Sequence, residues 1–379
     1  MPTQNPNAEF PVSFNGNTAT VHLPPRISIL EAVAFKQTCH QLAEREPTPH
    51  KIVLDCSQTT FIDSSGIGAL VYNIKTTRQQ KISLVLCQVQ PQVMAVLSMT
   101  DLLQRVTIEE MPDSQPNYQP NSRPNYQPNY QPNYQPNYQP NYQPNYQPNY
   151  QPNSQKSGRQ VIPTLDKEQM ASLPTTHPSV KSKVKRLIDI VGALVGLGIT
   201  AVLFIPIAVA IKLNSPGPIL FGQIRCGWMH RPFKMWKFRS MYIDAEARKS
   251  EVKNEIEGAK LFKNKNDPRI TKVGRFLRRT SLDELPQFWN VLKGEMSLVG
   301  TRPPTPDEVE RYEIPEWQRL DVKPGMTGEW QVNGRSSIKN FEDVVQLDRQ
   351  YQKNWNLLYD IKLILKTIWV IFHKNSGAL

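Results

Sequence analysis

The run IVGALVGLGITAVLFIPIAVAI, residues Ile190–Ile211, decides the fold class of half of this chain. Its 22 residues carry no charge, and about 20 apolar residues in a helix are enough to span the hydrocarbon core of a bilayer. A helix here would place the residues around it at a membrane. The sequence then raises the question of whether this helix crosses the membrane or enters and leaves on one side.

Basic residues flank the apolar run on both sides. Those that precede it and those that follow it before the first acidic residue are Lys181, Lys183, Lys185 and Arg186, then Lys212, Arg225, Arg231, Lys234, Lys237 and Arg239. Positive charge marks the cytoplasmic side of a membrane, and Pro206 inside the run removes a helical hydrogen bond. A re-entrant helix broken at Pro206 accounts for both facts, whereas a spanning helix accounts for the length. From the residues alone, the two alternatives stay equally open.

The positive charge of the chain lies entirely in its C-terminal half. Residues 1–178 contain 12 basic and 12 acidic residues, whereas residues 179–379 contain 33 basic and 21 acidic residues and carry the whole formal charge of +12. This indicates a polyanionic partner, namely nucleic acid, anionic lipid or a phosphorylated small molecule.

The four cysteines have no CxxC spacing, so neither a zinc site nor a disulfide framework is predicted. The N-terminus shows no secretory signal, which predicts a cytoplasmic N-terminal half.

A low-complexity tract separates the two halves. Residues Pro116–Gln155 are ten tetrapeptides, eight of which read PNYQ. Proline at every fourth position prevents a continuous helix, and no aliphatic residue is present to build a core. We predict a disordered, extended spacer within a linker over residues 113–178, with a reach of at most about 120 Å. The alternative is a tyrosine-based adhesive or phosphorylated tract.

Before the tract, strands and helices alternate in a compact α/β unit over residues 1–112. Strands are predicted at Lys51–Cys56 and Lys81–Cys87 from their β-rich apolar runs. Helices are predicted at Ile29–Leu42, Ser65–Lys75 and Pro91–Leu103 from the spacing of their apolar residues. Elements of this length predict a small mixed sheet with helices packed on it.

The turn FIDSSGIGAL, Phe61–Leu70, resembles the phosphorylatable loop of STAS domains, the anti-sigma-factor antagonist family. The resemblance implies that Ser64 is a kinase target and that a kinase or an anti-sigma-like protein is a partner of this domain. A phosphate there would lie at a helix N-terminus, where backbone N–H groups favour negative charge. The structural alternative is that Asp63, Ser64 and Ser65 only cap the helix.

In the C-terminal half, the stretch RRTSLDELPQFWNVLKGEMSLVGTRPP, Arg278–Pro304, contains an acidic pair. Asp283 and Glu284 follow a basic cluster at the expected start of a helix, where N–H groups and positive potential favour a bound phosphate. Ser281 and Glu284 also match a capping box, and for the motif by itself this structural interpretation is the stronger one.

Further on, the segment Trp355–Phe372 is typical of an interfacial membrane helix, and ordinary core packing is the equally weighted alternative.

Basic side chains surround the acidic pair in the sequence. Guanidinium groups clamp phosphates through bidentate hydrogen bonds. The basic residues of this region are Arg269, Lys272, Arg275, Arg278, Arg279 and Arg302, with Lys237 and Arg239 from the run WKFRSM. Nucleic-acid binding would predict aromatic residues interleaved with the charge for base stacking. Here the aromatic residues cluster with apolar ones near the membrane-like segments, so no nucleic-acid partner is predicted.

Six pieces of residues 183–379 together resemble the bacterial sugar transferases, the monotopic polyprenyl-phosphate phosphoglycosyl transferases. The pieces are KRLIDIVGALVGL (185–197), NSPGPILFGQIRCG (214–227), FKMWKFRSM (233–241), NDPRITKVGRFLRRTSLDELPQFWNVLKGEMSLVG (266–300), VKPGMTGEWQVNGRS (322–336) and YQKNWNLLYDIKLILKT (351–367). The resemblance implies a mainly α (α+β) monotopic membrane catalytic domain over residues 179–379. It implies a re-entrant helix-break-helix with Pro206 at the break, at the cytoplasmic face of the bacterial inner membrane.

The same resemblance implies a reaction. A sugar 1-phosphate passes from a UDP-sugar to undecaprenyl phosphate, UMP is released, and the synthesis of an exopolysaccharide or O-antigen-like glycan begins. Asp283 corresponds to the nucleophile that attacks the β-phosphate and forms a phosphosugar-enzyme intermediate. Glu284 matches the second acid, as a general base or as support for Asp283. Magnesium (Mg2+) would bridge Asp283 and the diphosphate. The implied phosphate contacts are Lys237, Arg239, Arg278, Arg302 and Arg335.

One departure from the family concerns the loop after the acidic pair. Where the family usually has Pro-Arg-Pro, this chain has Thr301-Arg302-Pro303. The arginine is kept, but the rigidity of the preceding proline is lost. We therefore expect a modest loosening of this loop.

The C-terminal motifs resemble the hexose-1-phosphate group of the family, which favours glucose or galactose as the sugar.

The competing hypothesis is a non-catalytic membrane scaffold whose STAS-like phosphoswitch recruits partners. That hypothesis predicts no turnover with any UDP-sugar, and partner binding that changes in Ser64→Asp.

Overall fold

The computed structural model describes residues 10–100, 102–109, 175–248, 266–333 and 340–372, and the single positions 173, 252 and 264. The repeat tract, most of the predicted linker and Arg335 lie outside the described residues. The extended spacer and the phosphate contact at Arg335 therefore stay predictions. The described residues form an N-terminal region that ends at residue 109 and a C-terminal region that begins at residue 173.

A five-stranded sheet forms the centre of the N-terminal region. The strands of this region are β1 (Val12–Asn15), β2 (Thr18–His22), β3 (Arg26–Ile27), β4 (Lys51–Asp55), β5 (Phe61–Ile62), β6 (Ser83–Cys87) and β7 (Thr107–Glu109). The sheet has the order β1-β2-β4-β6-β7, with β1 antiparallel to β2 and the other neighbours parallel, while β3 and β5 pair separately. Parallel neighbours need crossover connections, and helices supply them.

The helices of this region are α1 (Ile29–Glu44), α2 (Ser64–Gln79) and α3 (Pro91–Met99). They share one apolar core with the sheet, so the predicted α/β unit and its elements are confirmed with small shifts at their ends. Strand β6 begins at Ser83 rather than Lys81, because Lys81 has a positive φ of 59° in the turn after α2. Helix α3 ends at Met99, and a short 3₁₀ turn, Leu102–Gln104, follows it.

The C-terminal region is organised around one long helix. The short helix α4 (Pro178–Lys181) leads into α5 (Lys183–Asn214). Within the part of the chain that the structure describes, α5 is the one helix long and apolar enough to cross a membrane. Large apolar side chains remain exposed along it, among them Leu187, Val191, Leu194, Val195, Val202, Ile205 and Leu213. A helix with this bare apolar surface fits insertion into lipid.

Pro206 lies inside α5 and does not end it. The helix runs from Lys183 to Asn214 through this position, so the predicted break into two helices at Pro206 is corrected to one continuous helix. A proline removes one backbone hydrogen bond, and the bonds on either side of it are enough to keep the helix together.

Short strands and helices complete the C-terminal region, which is mainly α with small sheets, as predicted. The strands are β8 (Leu220–Cys226) and β9 (Pro232–Phe238), which form an antiparallel hairpin, and β10 (Ser297–Val299) and β11 (Gly325–Thr327), which pair in parallel. The helices are α6 (Lys272–Arg279), α7 (Gln287–Lys293), α8 (Pro306–Val309), α9 (Glu329–Asn333), α10 (Phe341–Asn354) and α11 (Leu357–Phe372). The 3₁₀ segments are Trp228–His230, Ile243–Ala245, Leu282–Glu284 and Ile314–Asp321.

A buried ion pair ties the start of α5 to α11. Lys185 Nζ lies 2.6 Å from Asp360 Oδ2 and donates to the carbonyl oxygen of Val299 at 3.0 Å. Tyr351 Oη and Trp355 Nε1 also donate to Asp360, at 2.9 and 3.1 Å. Two charges removed from water are stable only when hydrogen bonds satisfy their remaining polar groups. The network around Asp360 meets this condition and fixes the two helices to each other.

Helix α11 has one buried and one exposed apolar face. Leu363 is buried, whereas Leu358, Leu365 and Trp369 are exposed. Exposed leucine and tryptophan on one side of a helix suit the boundary between lipid and water. The interfacial interpretation of this segment is therefore favoured over full burial in a protein core.

The N-terminal and C-terminal regions pack against each other. Ile67 and Ala69 of α2 belong to the same buried apolar cluster as Tyr312, Ile314 and Trp317 of the C-terminal region. The two regions therefore share a core across their contact.

Candidate active site

The acidic pair lies in a tight turn between α6 and α7. Helix α6 ends at Arg279, and Ser281 has a left-handed backbone with φ of 56°. The 3₁₀ turn Leu282–Glu284 follows it. Ser281 makes no side-chain cap hydrogen bond, so the capping box predicted for Ser281 and Glu284 is wrong. The cap residue of such a box needs an extended backbone, which the left-handed Ser281 does not provide.

The two acids of the turn have different surroundings. Asp283 is buried, with 5% of its surface exposed. Glu284 Oε1 accepts a hydrogen bond from Lys237 Nζ of β9 at 3.1 Å, and both of these side chains stay partly exposed. The structure thus brings three predicted site residues together, with one acid held by a cation and the other in the same turn.

Arg278 joins this cluster from the last turn of α6. Its Nε donates to Ser240 Oγ at 2.9 Å. Burial lowers the pKa of Arg278, and the charges of nearby carboxylates, Asp283 first, act against this shift. A half-buried guanidinium next to carboxylates can clamp a phosphate through bidentate hydrogen bonds. Arg278 is therefore placed to contact a phosphate next to Asp283.

Arg302 shares a carboxylate with a second arginine, Arg225, to which the sequence motifs assigned no site role. Arg302 donates to both carboxylate oxygens of Glu308, at 3.0 and 3.3 Å. Arg225, in β8, lies 4.0 Å from Glu308 and donates to the carbonyl oxygen of Pro303 at 2.9 Å. Burial and then the charge of Arg302 lower the pKa of Arg225 to about 10, while Glu308 and Glu284 act against the shift. The two arginines form a second positive group next to the acidic pair.

Arg239 has a different set of partners. It is buried, and its guanidinium donates to the carbonyl oxygens of Pro216 and Ser215, at 2.7 and 2.6 Å, and to Ser215 Oγ at 2.9 Å. These bonds hold the loop that follows α5. The observed partners of Arg239 are structural, and its predicted phosphate contact stays a prediction.

Ser64 lies at the contact between the two regions. It starts α2 and is fully buried, and its backbone N–H donates to Asp321 Oδ1 at 3.0 Å. Asp63 caps the helix, because its Oδ1 accepts from the N–H groups of Ser65 and Gly66 at 2.8 and 3.0 Å. The capping interpretation of this motif is confirmed for Asp63, and the phosphorylation of Ser64 stays a prediction.

The loop that carries Arg302 is held in place. Thr301 is buried, its Oγ1 donates to the carbonyl oxygen of Arg319 at 2.9 Å, and its own carbonyl oxygen accepts from the Gly325 N–H at 2.8 Å. The hydroxyl of Thr301 and the backbone bond to Gly325 restrain this loop, and its expected loosening relative to the family stays a prediction.

The site offers few ligands for magnesium. Among the described residues, no three or more His, Cys, Asp or Glu side chains lie together in a way that could hold a metal ion. Asp283 supplies one carboxylate, and Glu284 is engaged by Lys237. This donor set fits an Mg2+ ion that takes one or two carboxylates and completes its shell with water and substrate phosphate.

The apolar helix, the acidic pair and the cations around it define a membrane-associated protein with a site for anions. The chain matches the bacterial sugar transferase family over residues 180–374, just over half of its length, and the STAS domain family over residues 9–114. The chain therefore belongs to the bacterial sugar transferase family and carries a STAS domain in its N-terminal region.

Three relatives show the extent of the similarity. The galactosyl transferase CpsE of Streptococcus agalactiae serotype III (strain NEM316) is 50% identical over 199 residues, which cover 51% of this chain and 43% of that protein. The UDP-glucose:undecaprenyl-phosphate glucose-1-phosphate transferase of Escherichia coli (strain K12) is 40% identical over 230 residues, 58% of this chain and 45% of that protein. The exopolysaccharide production protein ExoY of Rhizobium meliloti (strain 1021) is 38% identical over 193 residues, 48% of this chain and 83% of that protein. The match thus spans less than half of the first two proteins.

Gly274, in the first turn of α6, is predicted to tolerate no side chain. A Cβ at this position would lie 1.9 Å from the carbonyl oxygen of Ser240, the residue that also binds Arg278. Because a backbone atom cannot move aside easily, Gly274→Ala should displace α6, destabilise the protein by about 1–3 kcal/mol and lower its activity. Thermal unfolding and an activity assay, run in parallel, measure both effects.

The matched control for this prediction is Gly198→Ala. Gly198 lies in α5, and nothing is within 4 Å of the added Cβ, so this variant should keep both the stability and the activity. A Gly274→Ala protein that is as stable and as active as the wild type would contradict the prediction.

Proposed function

We propose that this protein transfers a sugar 1-phosphate from a UDP-sugar to undecaprenyl phosphate, releases UMP, and so begins the assembly of an exopolysaccharide or O-antigen-like glycan. The observation that carries the proposal is the cluster of Asp283, Glu284, Lys237 and Arg278 in a chain of the bacterial sugar transferase family. The names of the streptococcal and E. coli relatives, a galactosyl transferase and a UDP-glucose:undecaprenyl-phosphate glucose-1-phosphate transferase, support this substrate class and favour galactose or glucose as the sugar.

Asp283 is the proposed nucleophile. Its carboxylate oxygen attacks the β-phosphorus of the UDP-sugar, and the bond from that phosphorus to the oxygen that bridges to the α-phosphate breaks. UMP leaves with the electron pair, and an acyl phosphate joins Asp283 to the sugar phosphate. A phosphate oxygen of undecaprenyl phosphate then attacks the same phosphorus and frees the carboxylate. One difficult displacement becomes two easier ones.

The cations around Asp283 suit two anionic substrates. Arg278 and Lys237 lie at the acidic pair, and Arg302 forms the second positive group with Arg225. Negative charge develops on the leaving UMP, and positioned cations in a partly buried site stabilise it. Glu284, held by Lys237, is in place to support Asp283 or to act as a general base.

Magnesium is the proposed cofactor, with Asp283 as its protein ligand. When bound, the ion would neutralise charge on the diphosphate. Because the described residues offer too few carboxylates to hold the ion by themselves, its binding should strengthen when the UDP-sugar is present.

The proposed topology is monotopic, with the continuous helix α5 embedded in the cytoplasmic leaflet of the inner membrane and both of its ends at the cytoplasmic face. The basic residues on both flanks of α5 support it, since positive charge stays on the cytoplasmic side. A cysteine at the exposed Lys353 tests the topology, because the four native cysteines are buried. A membrane-impermeant maleimide should label Lys353→Cys only after the cells are opened. Labelling in intact cells would contradict a cytoplasmic active site.

The decisive experiment measures UMP release by the full-length protein in lipid. The assay contains undecaprenyl phosphate, Mg2+ and a panel of UDP-sugars that includes UDP-glucose and UDP-galactose. We expect UMP release that needs both the lipid phosphate and one of these two sugars, and that falls when Mg2+ is chelated. An absence of turnover with every UDP-sugar would contradict the proposal and favour the scaffold hypothesis.

A further inference from the structure

The STAS domain packs on a segment of the transferase domain that lies next to the candidate site. This docking segment is the 3₁₀ stretch Ile314–Asp321, and both α1 and α2 contact it. Lys36 Nζ of α1 lies 3.4 Å from Glu313 Oε2, just before the segment. In α2, Gly68 faces the ring of Trp317 so closely that a Cβ would lie 2.6 Å from it.

The first turn of α2 contacts the other end of the docking segment. The Ser64 N–H donates to Asp321 Oδ1 at 3.0 Å, and Asp63, Ser64 and Asp321 are all buried. Buried polar groups in folded proteins are paired, and here the pair joins the two domains. The apolar side chains around it form one cluster drawn from both domains. The contact is therefore a formed interface.

The docking segment is connected to the loop of Arg302. Thr301 Oγ1 donates to the carbonyl oxygen of Arg319, in the segment, at 2.9 Å. The guanidinium of Arg319 is buried and held in turn, since its Nε lies 2.6 Å from Asp348 Oδ2 and its Nη1 bonds to Tyr312. A shift of this tightly held segment would therefore move Thr301 and its neighbour Arg302.

We propose that the STAS domain regulates the transferase of its own chain by docking on Ile314–Asp321, which holds the Arg302 loop in place through the bond between Thr301 and Arg319. The expected effect on substrate binding rests on the proposed function of Arg302. The docking of the STAS domain is independent of that function. Thr301 is a positioning residue. It stands where the resemblance gives the family a proline, which has no hydroxyl, so this connection depends on the residue that departs from the family pattern.

Two carboxylates meet at the interface and make it sensitive to negative charge. Asp321 faces Asp63, and the other charges near Asp63 are Arg26 and Glu31. Burial and then the charge of Asp63 raise the pKa of Asp321 to about 7, from 3.8. The docked state therefore binds a proton that the undocked state releases, so docking strengthens as the pH falls below about 7 and weakens as the pH rises through it. A phosphate on Ser64 would add negative charge beside both carboxylates.

Zero-length crosslinking tests the docking directly. A carbodiimide joins an amine to a carboxylate that touches it, and Lys36 with Glu313 is such a pair across the interface. We expect this crosslinked peptide in the mass spectrum of the full-length protein in membranes. Gly68→Gln places a side chain against Trp317 and should reduce the crosslink about tenfold, whereas Lys75→Gln, exposed on the same helix, should not. A missing crosslink in the wild type, or its survival in Gly68→Gln, overturns the proposal.

Charge and pH provide a second test with an internal control. Lys51 Nζ and Glu109 Oε2 lie 2.5 Å apart within the STAS domain, so their crosslink corrects for domain unfolding and for the pH dependence of the reagent. Relative to it, the interface crosslink should fall in Ser64→Asp and should rise between pH 8 and pH 6 in the wild type. Asp321→Asn should remove this pH dependence. If the ratio of the interface crosslink to the Lys51–Glu109 crosslink changes neither in Ser64→Asp nor with pH, the electrostatic part of the proposal is overturned.

The connection to substrate binding is tested by separating KM from kcat. Gly68→Gln and Thr301→Val should each raise KM for the UDP-sugar about 5- to 10-fold, with kcat changed less, and only Gly68→Gln should lose the interface crosslink. The double variant should resemble the single variants, because both break one connection. Unchanged KM in both variants overturns the connection. A wild-type protein without transferase activity contradicts the proposed function instead. The crosslinking experiment still tests the docking in that case.

Discussion

Asp283→Asn is expected to abolish UMP release, with a loss of about a thousand-fold or more in turnover. The carboxamide has nearly the size of the carboxylate, but it offers no anionic oxygen to attack the β-phosphorus and no charged ligand to Mg2+. Glu284 is a poor substitute, because Lys237 holds it. The measurement is UMP release with saturating UDP-sugar and undecaprenyl phosphate.

A covalent intermediate separates a loss of chemistry from a loss of fold. With a UDP-sugar labelled in its sugar and no undecaprenyl phosphate, the wild type should carry the label on Asp283, and Asp283→Asn should carry none. Glu284→Gln should turn over more slowly than the wild type and still carry the label. Asp244→Asn, at an exposed acid of the same domain, is the control and should behave as the wild type. Unchanged activity in Asp283→Asn would refute the assignment of the nucleophile.

Asp360→Ala is expected to have the largest effect on stability, a loss of about 3–5 kcal/mol. The substitution leaves the charge of Lys185 buried with the carbonyl oxygen of Val299 as its remaining hydrogen-bond acceptor, and it removes the acceptor of the Trp355 indole N–H. Asp189 is then the nearby carboxylate, outside salt-bridge distance, and a buried charge with so incomplete a compensation costs more than the pair contributes. The start of α5 would also lose its attachment to α11.

Thermal unfolding in lipid nanodiscs measures this effect. Glu342→Ala removes an exposed acid of α10 and should change the stability by less than about 0.5 kcal/mol. The double variant with Lys185→Met and Asp360→Leu should recover much of the loss, because it removes both charges and keeps apolar volume. If Asp360→Ala unfolds at the wild-type temperature, the ion pair has no stabilising role.

Most elements of the fold were predictable because each has a local pattern. The apolar run at Lys51–Asp55 indicates a strand from a few consecutive residues, and the charge-free run in α5 indicates a helix from a few helical turns. The predictions that failed concern positions where a local signal has two structural outcomes. Pro206 can end a helix or lie within one, and Ser281 can cap a helix or take a left-handed turn; the structure has the second outcome in both cases.

The candidate site was only partly predictable. Asp283, Glu284, Lys237 and Arg278 were named from motifs, and the structure places them together. Arg225 was not named as a site residue, because its proximity to Glu308 depends on how β8 lies against α8 and against the loop before it. Its place in the piece NSPGPILFGQIRCG was the one signal that the sequence offered.

The sequence by itself determined the apolar length of α5, the positive charge of the C-terminal half, the order of the α/β elements and the identity of the acidic pair. These features depend on composition and on residues that are near each other in the chain. Only the tertiary structure decided that Ser64 meets Asp321, 257 residues away, and that Lys185 meets Asp360, 175 residues away. The physical reason is that such contacts follow from the packing of whole elements, and no local pattern of side chains encodes the distance between two remote residues.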